Sequence, residues 1–507
     1  MAFGVAAIPA AGAAGTVTAA TVPKLDCAAL PSLDLTSVPD APSRIQSATA
    51  VTVAGIGYCQ VRGYIAPQTQ FQLMLPLATW RGQYLQVGCG GLCGDVPTAG
   101  ANPAPPLSAG CAPVADGELA IASDNEGHIG TSRLDGLWGK DDPELRAVFG
   151  HLSEHSLAQL SKAIIGDYYG APPTFSYFDG CSDGGREALI EAQRYPADFN
   201  GVLAGSPVLD ATDFGGELET WVYRSNTDAT GRQILGTAKL PALHAAVLAA
   251  CAGPDGLVDD PRTCGFDPAS IQCAAGTDTP SCLTPAEIGV VDRFYSGPLD
   301  AHGRNLYPGG LPYGSELAWA GWDVAPNGNT LSTMAAQFAV NTLKYLAYRV
   351  NPPDSFRLTD FRFTDAEYVR LQQLAHVYNS TDPDLTAFRA HGGKIILYHG
   401  WADQAVPPFG TVAYYRTMAD ATPGYRSFAR LYMIPAQYHC LAGGDPQVTG
   451  DLLSPLMAWV QGGAAPSTVR FPAVTTGSQV AVAPLDPYRQ VTGSGRNANY
   501  DWIGHFS

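Results

Sequence analysis

The chain has 507 residues, of which 46% are apolar and only 15% charged, and its 46 Asp+Glu against 29 Lys+Arg leave a formal charge of −17. That apolar share excludes disorder over most of the length and can build a large core, as one domain with an insertion or as two to three domains. The acidic balance and the absence of any Lys/Arg run exclude nucleic acid as a partner, because that binding depends on clustered cations.

The N-terminus, MAFGVAAIPAAGAAG, is small and apolar but lacks the Lys or Arg that opens a signal peptide. Residues 1–40 therefore read as a flexible leader or signal remnant. No later run reaches 18 strongly apolar residues, so no membrane span is expected. Alternation in VTVAGIGYCQVRGYIA and FQLMLPL predicts early strands over about 51–77. RGQYLQV predicts a strand entering the glycine loop Gly88-Cys89-Gly90-Gly91, and GELAIASD predicts another strand. Helical spacing covers 156–169, then TFSYFDG (174–180) reads as a short strand and GREALIEAQRYP as a helix. Between about 208 and 384 cysteines, aromatics, Pro and Gly replace this alternation, which reads as a large insertion or lid. Strand character returns in KIILYHG (394–400) and FARLYMIP (428–435). The expected fold is a mostly parallel α/β sheet. Its core is split into 41–207 and 385–507, with the lid at 208–384 between them.

Gly180-Cys181-Ser182-Asp183-Gly184-Gly185 satisfies G-x-S-x-G between a predicted strand and a predicted helix. That is the context of a nucleophile elbow, where a tight turn projects the serine hydroxyl and a helix N-terminus favours an oxyanion. The bland alternative is an ordinary glycine-rich turn. An α/β hydrolase places its acid and its histidine later in the chain, which selects Asp403 after KIILYHG and His439 after the RLYMIP strand. His128 precedes the serine, in the wrong order, and His399 reads as a structural hydrogen-bonding residue. The oxyanion donors expected are the amides of Gly88 and of Asp183, the residue after the nucleophile. His151, Glu154 and His155 form an H-x-x-E-H pattern that reads as a helical face rather than a zinc site. Asp255, Asp259 and Asp260 offer hard oxygen ligands but lack EF-hand spacing, and their plain reading is an acidic turn pinned by Cys251 and Cys264. Eleven cysteines point to an oxidising compartment and hence to secretion, and an odd count leaves at least one unpaired within the chain.

These motifs resemble the tannase/feruloyl esterase family of secreted α/β hydrolases, over roughly residues 45–500. GCSDGGREAL resembles its elbow, LYHGWAD its acid motif, and His439-Cys440 its paired His-Cys. PDGLVDDPRTCGFDP resembles the end of its lid calcium loop, and CLTPAEIGVVDRFYSGP the segment that follows. The resemblance implies an esterase of aromatic carboxylic acids of feruloyl, galloyl or terephthaloyl monoester type. In it Ser182 is the nucleophile, His439 the base and Asp403 its orienter. It also implies the pairs Cys181–Cys440, Cys251–Cys264, Cys273–Cys282 and Cys27–Cys59. For the remaining cysteines the expectation is Cys93–Cys111 with Cys89 free. Relative to the family, Ala252-Gly253-Pro254 replaces acidic ligands, so no cofactor is required and tightly bound calcium is not expected. Asp486 and Trp502 stand where a cysteine pair is common, and Val406 where the aromatic clamp has phenylalanine. The partner expected is a small aromatic ester, bound by a monomer or weak oligomer. A rival of another class is a catalytically silent member of the fold that binds phenolics or glycans.

Overall fold

The computed structural model describes residues 19–96, 110–491, 493 and 495–497. Eleven strands are found among them: β1 Ser43–Val53, β2 Ile56–Ile65, β3 Thr69–Pro76, β4 Gln83–Val87, β5 Leu119–Asp124, β6 Phe175–Cys181, β7 Gly201–Gly205, β8 Lys394–Gly400, β9 Ala429–Ile434, β10 Val469–Pro472 and β11 Gln479–Val482. The first nine form one sheet in the order β1-β2-β3-β5-β4-β6-β7-β8-β9, and β10 pairs with β11 in a small second sheet. β1, β2 and β3 pair antiparallel, as does β3 with β5, and every pair from β5 to β9 is parallel. The sheet is thus mixed: parallel where the motifs lie, and led by an antiparallel meander.

Seven helices matter to the argument: α1 Ser153–Tyr169, α2 Asp183–Arg194, α3 Leu240–Cys251, α4 Pro285–Ser296, α5 Met334–Asn341, α6 Phe409–Ala421 and α7 Leu453–Val460. In α1, Leu157, Leu160, Ile164 and Tyr168 recur at helical spacing and are buried, and Gly170 ends the helix at φ 73°. Residues of α1, α2 and α6, such as Ile164, Leu189 and Tyr414, pack in one core cluster with Phe178 and Val202 of the sheet. Leu456 and Met457 of α7 pack in a second with Leu203 and Ile396. Alternate strand residues such as Val202 and Leu203 point to opposite faces, so these clusters lie on the two sides of one sheet.

Between β7 and β8 no described residue joins the large sheet. This stretch carries α3, α4 and α5 and a cluster of its own, which includes Val222, Leu243, Val290, Tyr295 and Trp319. α4 starts where it does for a local reason. The Thr284 hydroxyl accepts from the Glu287 amide, the Glu287 carboxylate accepts from the Thr284 amide, and Pro285 supplies a preset φ.

Two expectations change here. Residues 1–18 lie outside the described residues, but 19–40 are not a loose leader. Thr21 and Lys24 donate to the carbonyls of Trp80 and Tyr168, Cys27 is bonded to Cys59, and Leu30 and Leu35 are buried. The second correction concerns the cysteines: Cys89 pairs with Cys93, four residues on, and Cys111 is the free one. Cys111 belongs to the cluster around Leu85 and Met457, whereas Cys93 packs with Phe149 and Leu92, so the two sit in different clusters. Cys181–Cys440, Cys251–Cys264 and Cys273–Cys282 are also bonded. Asp486 faces Arg426 at 3.7 Å; Trp502 lies outside the described residues.

Candidate active site

Ser182 stands between β6 and α2 with φ 68° and ψ −119°, a backbone state that costs a non-glycine residue about 1–3 kcal/mol. The turn closes only because its neighbours lack side chains. A Cβ on Gly180 would sit 2.2 Å from the Gly184 carbonyl oxygen, and one on Gly184 2.8 Å from that of Cys89. The Ser182 amide donates to Gly205 at the end of β7, and its carbonyl accepts from Arg186 and Val208, which fixes where the hydroxyl points.

The structure brings the three sequence-selected side chains into one chain of contacts. Ser182 Oγ lies 2.9 Å from His439 Nε2, and His439 Nδ1 lies 2.9 and 3.1 Å from the two Asp403 oxygens. Asp403 is fully buried after β8, and its Oδ1 accepts from the amides of Ala405 and Val406. His399 lies behind it, 3.1 Å from Oδ2, with its other nitrogen 2.9 Å from Thr411 Oγ1. Burial works to raise the Asp403 carboxyl, but His439 and His399 outweigh it and hold it well below the usual carboxylate range. Cys440, bonded to Cys181, holds the loop after His439 against the end of β6.

The oxyanion assignment is half corrected. No acceptor among the described residues meets the Asp183 amide, at the N-terminus of α2. The Gly88 amide, by contrast, donates to the Asp179 carbonyl at 3.1 Å, continuing the β4–β6 ladder, and is therefore spoken for. The Cys89 amide goes to the Glu187 carboxylate and that of Leu92 to the Arg133 carbonyl. This leaves Gly90 and Gly91 with no acceptor among the described residues, and Gly91 faces the same cavity as Ser182.

That cavity, about 620 Å³ including its mouth, opens beside Ser182. Its walls include Phe149, Phe214, Trp322, Phe338, Tyr378 and Val406. The Trp322 ring lies 5.6 Å from the His439 ring, and Val406, whose amide donates to Asp403, is among the lining residues.

Motif reading missed the support behind the elbow. Arg186, wholly buried, holds the Asp183 carboxylate with Nε and Nη2 at 2.6 and 3.0 Å and reaches Glu126 at 3.4 Å. Ligand atoms of Cys89, Cys93, Glu126, Asp183 and Glu187 crowd within 4.8 Å. The cystine and Arg186 already engage them, so this is an ion-pair network rather than a metal cradle. Arginine and glutamate directly after the elbow glycines were the available signal. The other histidines are elsewhere. His128 bonds the carbonyls of Glu126 and Leu92 and stacks on Trp138. His151 and His155 diverge, one to the Val377 carbonyl and the other to Asp198.

In the suggested calcium loop, two of the three carboxylates have partners within the chain. Asp260 turns both carboxylate oxygens to Arg262, at 2.9 and 2.8 Å, and Asp255 caps the Leu257 amide. Asp259 is left between like charges, and burial with those neighbours raises its carboxyl.

A family model for tannase and feruloyl esterase matches residues 52–493. The chain belongs to that family. It is 31% identical to the mono(2-hydroxyethyl) terephthalate hydrolase of Piscinibacter sakaiensis, over 88% of this chain and 83% of that protein. A probable feruloyl esterase B-1 of Aspergillus flavus is 28% identical over 88% and 84%. In fold, the crystal structure of an esterase from Aspergillus oryzae matches with a TM-score of 0.76 at 23% identity, covering 93% of this chain and 98% of that one. As a family member the chain is a carboxylic ester hydrolase of α/β-hydrolase type.

Proposed function

We propose that the protein is a secreted serine esterase of aromatic carboxylic acid esters, with the 208–384 segment acting as a lid over the acyl group. The observation that carries this reading is the unbroken Ser182–His439–Asp403 contact chain at the edge of a cavity walled by aromatic rings. Ser182 Oγ attacks the ester carbonyl while His439 Nε2 takes its proton, and Asp403 stabilises the resulting imidazolium. The carbonyl oxygen, now an oxyanion, accepts from the amides of Asp183 and Gly91. Collapse releases the alcohol with the proton from His439, and water then repeats the sequence on the acyl-enzyme. Five disulfides among the described residues support an oxidising destination. No helix of the described residues is long and apolar enough to cross a membrane.

The test is a panel of soluble methyl esters ranked by kcat/KM. Ferulate and gallate should exceed a straight-chain octanoate of similar length; octanoate in first place would move the protein out of the aromatic class. No calcium is assigned to the Asp255–Asp260 turn, given the Arg262 ion pair. Chelation should leave the melting temperature of the purified protein unchanged, and a clear drop would restore a metal site there.

A further inference from the structure

Resting on the esterase reading, the charge distribution around the cavity narrows the substrate. Every one of the chain's 29 Lys and Arg falls among the described residues, because 1–18, 97–109, 492, 494 and 498–507 contain neither. None of them lines the cavity beside Ser182. The arginines that reach its walls from outside are already engaged by other groups. Arg186 is wrapped by Asp183, by Glu126 and by the Phe149 and Gly150 carbonyls. Arg146 donates to the carbonyls of Gly139, Tyr345 and Tyr348 and to Asn351. Arg133, whose carbonyl receives the Leu92 amide, makes a two-pronged pair with Asp95 at 2.9 and 3.1 Å.

The ionisable groups that do line or adjoin the cavity are carboxyls, not cations. Asp183, held by Arg186, contributes to its lining, and the buried Glu219 and Asp323 adjoin that wall, with burial pushing Glu219 up to about 8 and raising Asp323. The neutral polar groups are few. Thr212 bonds Asp210 and receives Asn379, and the Tyr378 hydroxyl donates to Leu346, which leaves the Thr342 hydroxyl without a partner among the described residues. A ring hydroxyl or methoxy group finds a place in such a lining. A carboxylate finds no cation, and an unpaired charge moved out of water is among the most costly groups to bury.

We propose that the cavity selects esters whose aromatic acyl group carries no negative charge, and so discriminates against monoesters of aromatic dicarboxylic acids. Of the three substrate types implied by the family resemblance, this keeps feruloyl and galloyl esters and sets the terephthaloyl monoester aside.

Charge separates cleanly from size in one pair of compounds. Monomethyl terephthalate and methyl 4-carbamoylbenzoate have nearly the same shape and differ in the charge of the para group. Methyl benzoate serves as the reference, and the assays are run at about 1 M NaCl, where a Debye length of about 3 Å removes long-range repulsion by the acidic protein. The carbamoyl ester is expected within tenfold of the reference in kcat/KM, and the carboxylate ester about 100-fold or more below it. A carboxylate ester turned over within tenfold of the carbamoyl ester would overturn the proposal. So would equal loss for both para-substituted esters, which would make length the selector. Failure on methyl benzoate, methyl ferulate and methyl gallate alike would be recognised as the failure of the aromatic-esterase reading itself.

Discussion

Replacing Ser182 by alanine should lower kcat on a soluble aromatic methyl ester by about 10⁴–10⁶-fold, the scale seen when a triad nucleophile is removed. The change deletes one oxygen at a position whose backbone is fixed by hydrogen bonds to Gly205, Arg186 and Val208, so the fold should survive it. The rest of the cavity wall is untouched, and KM or the Kd of a product acid should move little. Residual activity would come from the oxyanion amides and from orientation in the cavity. The same residue separates the esterase from a silent binding protein. A fluorophosphonate should label the wild type at Ser182, because His439 lies 2.9 Å from Oγ and can take the proton, and should not label the alanine variant. Near-wild-type hydrolysis by Ser182→Ala would remove the whole triad assignment. An unlabelled, inactive wild type would favour the binding protein.

Much of the site was legible because its chemistry imposes local rules. The elbow needs glycines at fixed offsets, since a Cβ at 180 or 184 has no room, and such spacing survives in a bare sequence. Asp403 and His439 were readable because each follows a recognisable apolar strand. The parallel half of the sheet was legible for the same reason, except β7. GVLAG is short, has glycine at both ends and is buried throughout, so neither alternation nor β-branched enrichment marks it. The oxyanion loop shows the opposite limit. Which of four consecutive loop residues keeps a free amide depends on how far the β4–β6 ladder runs, and that is a register question settled between Gly88 and Asp179, 91 positions apart in the chain. The Cys89–Cys93 pair was hidden by a similar problem. Sequence spacing does not say which core cluster each thiol joins, and Cys111 proved to lie in a different one from Cys93. Arg186 and Glu126 come together from α2 and the loop after β5, so their pairing is visible only once both are placed.

Removing Cys181 and Cys440 together, as alanines, should cost stability and turnover for separate reasons. The bond spans 259 residues of sequence and closes with Cα atoms 5.9 Å apart. Cutting so long a loop frees the unfolded chain, and about 2–4 kcal/mol of stability is expected to go with it. Turnover depends on something narrower. His439 occupies a loop whose next two residues, Cys440 and Leu441, both have positive φ, at 50° and 57°. Besides the cystine, His439 is held by its bonds to Asp403 and by its amide donating to Gln404 at 3.2 Å. Those contacts fix the ring against β8, whereas the serine stands at the end of β6, with β7 between them. The cystine is the covalent tie from the base's loop to the nucleophile's strand. Its loss should let the Nε2–Oγ distance drift, and a displacement near 1 Å is worth about 10²-fold in rate. Well below the variant's own melting temperature, kcat should therefore fall by about 10–100-fold, with KM nearly unchanged because the cavity walls come from other elements. Unchanged kcat in a folded variant would show that Asp403 and Gln404 alone position the base, leaving the cystine a purely structural link. A rise in KM matching the fall in kcat/KM would instead place its effect on the cavity.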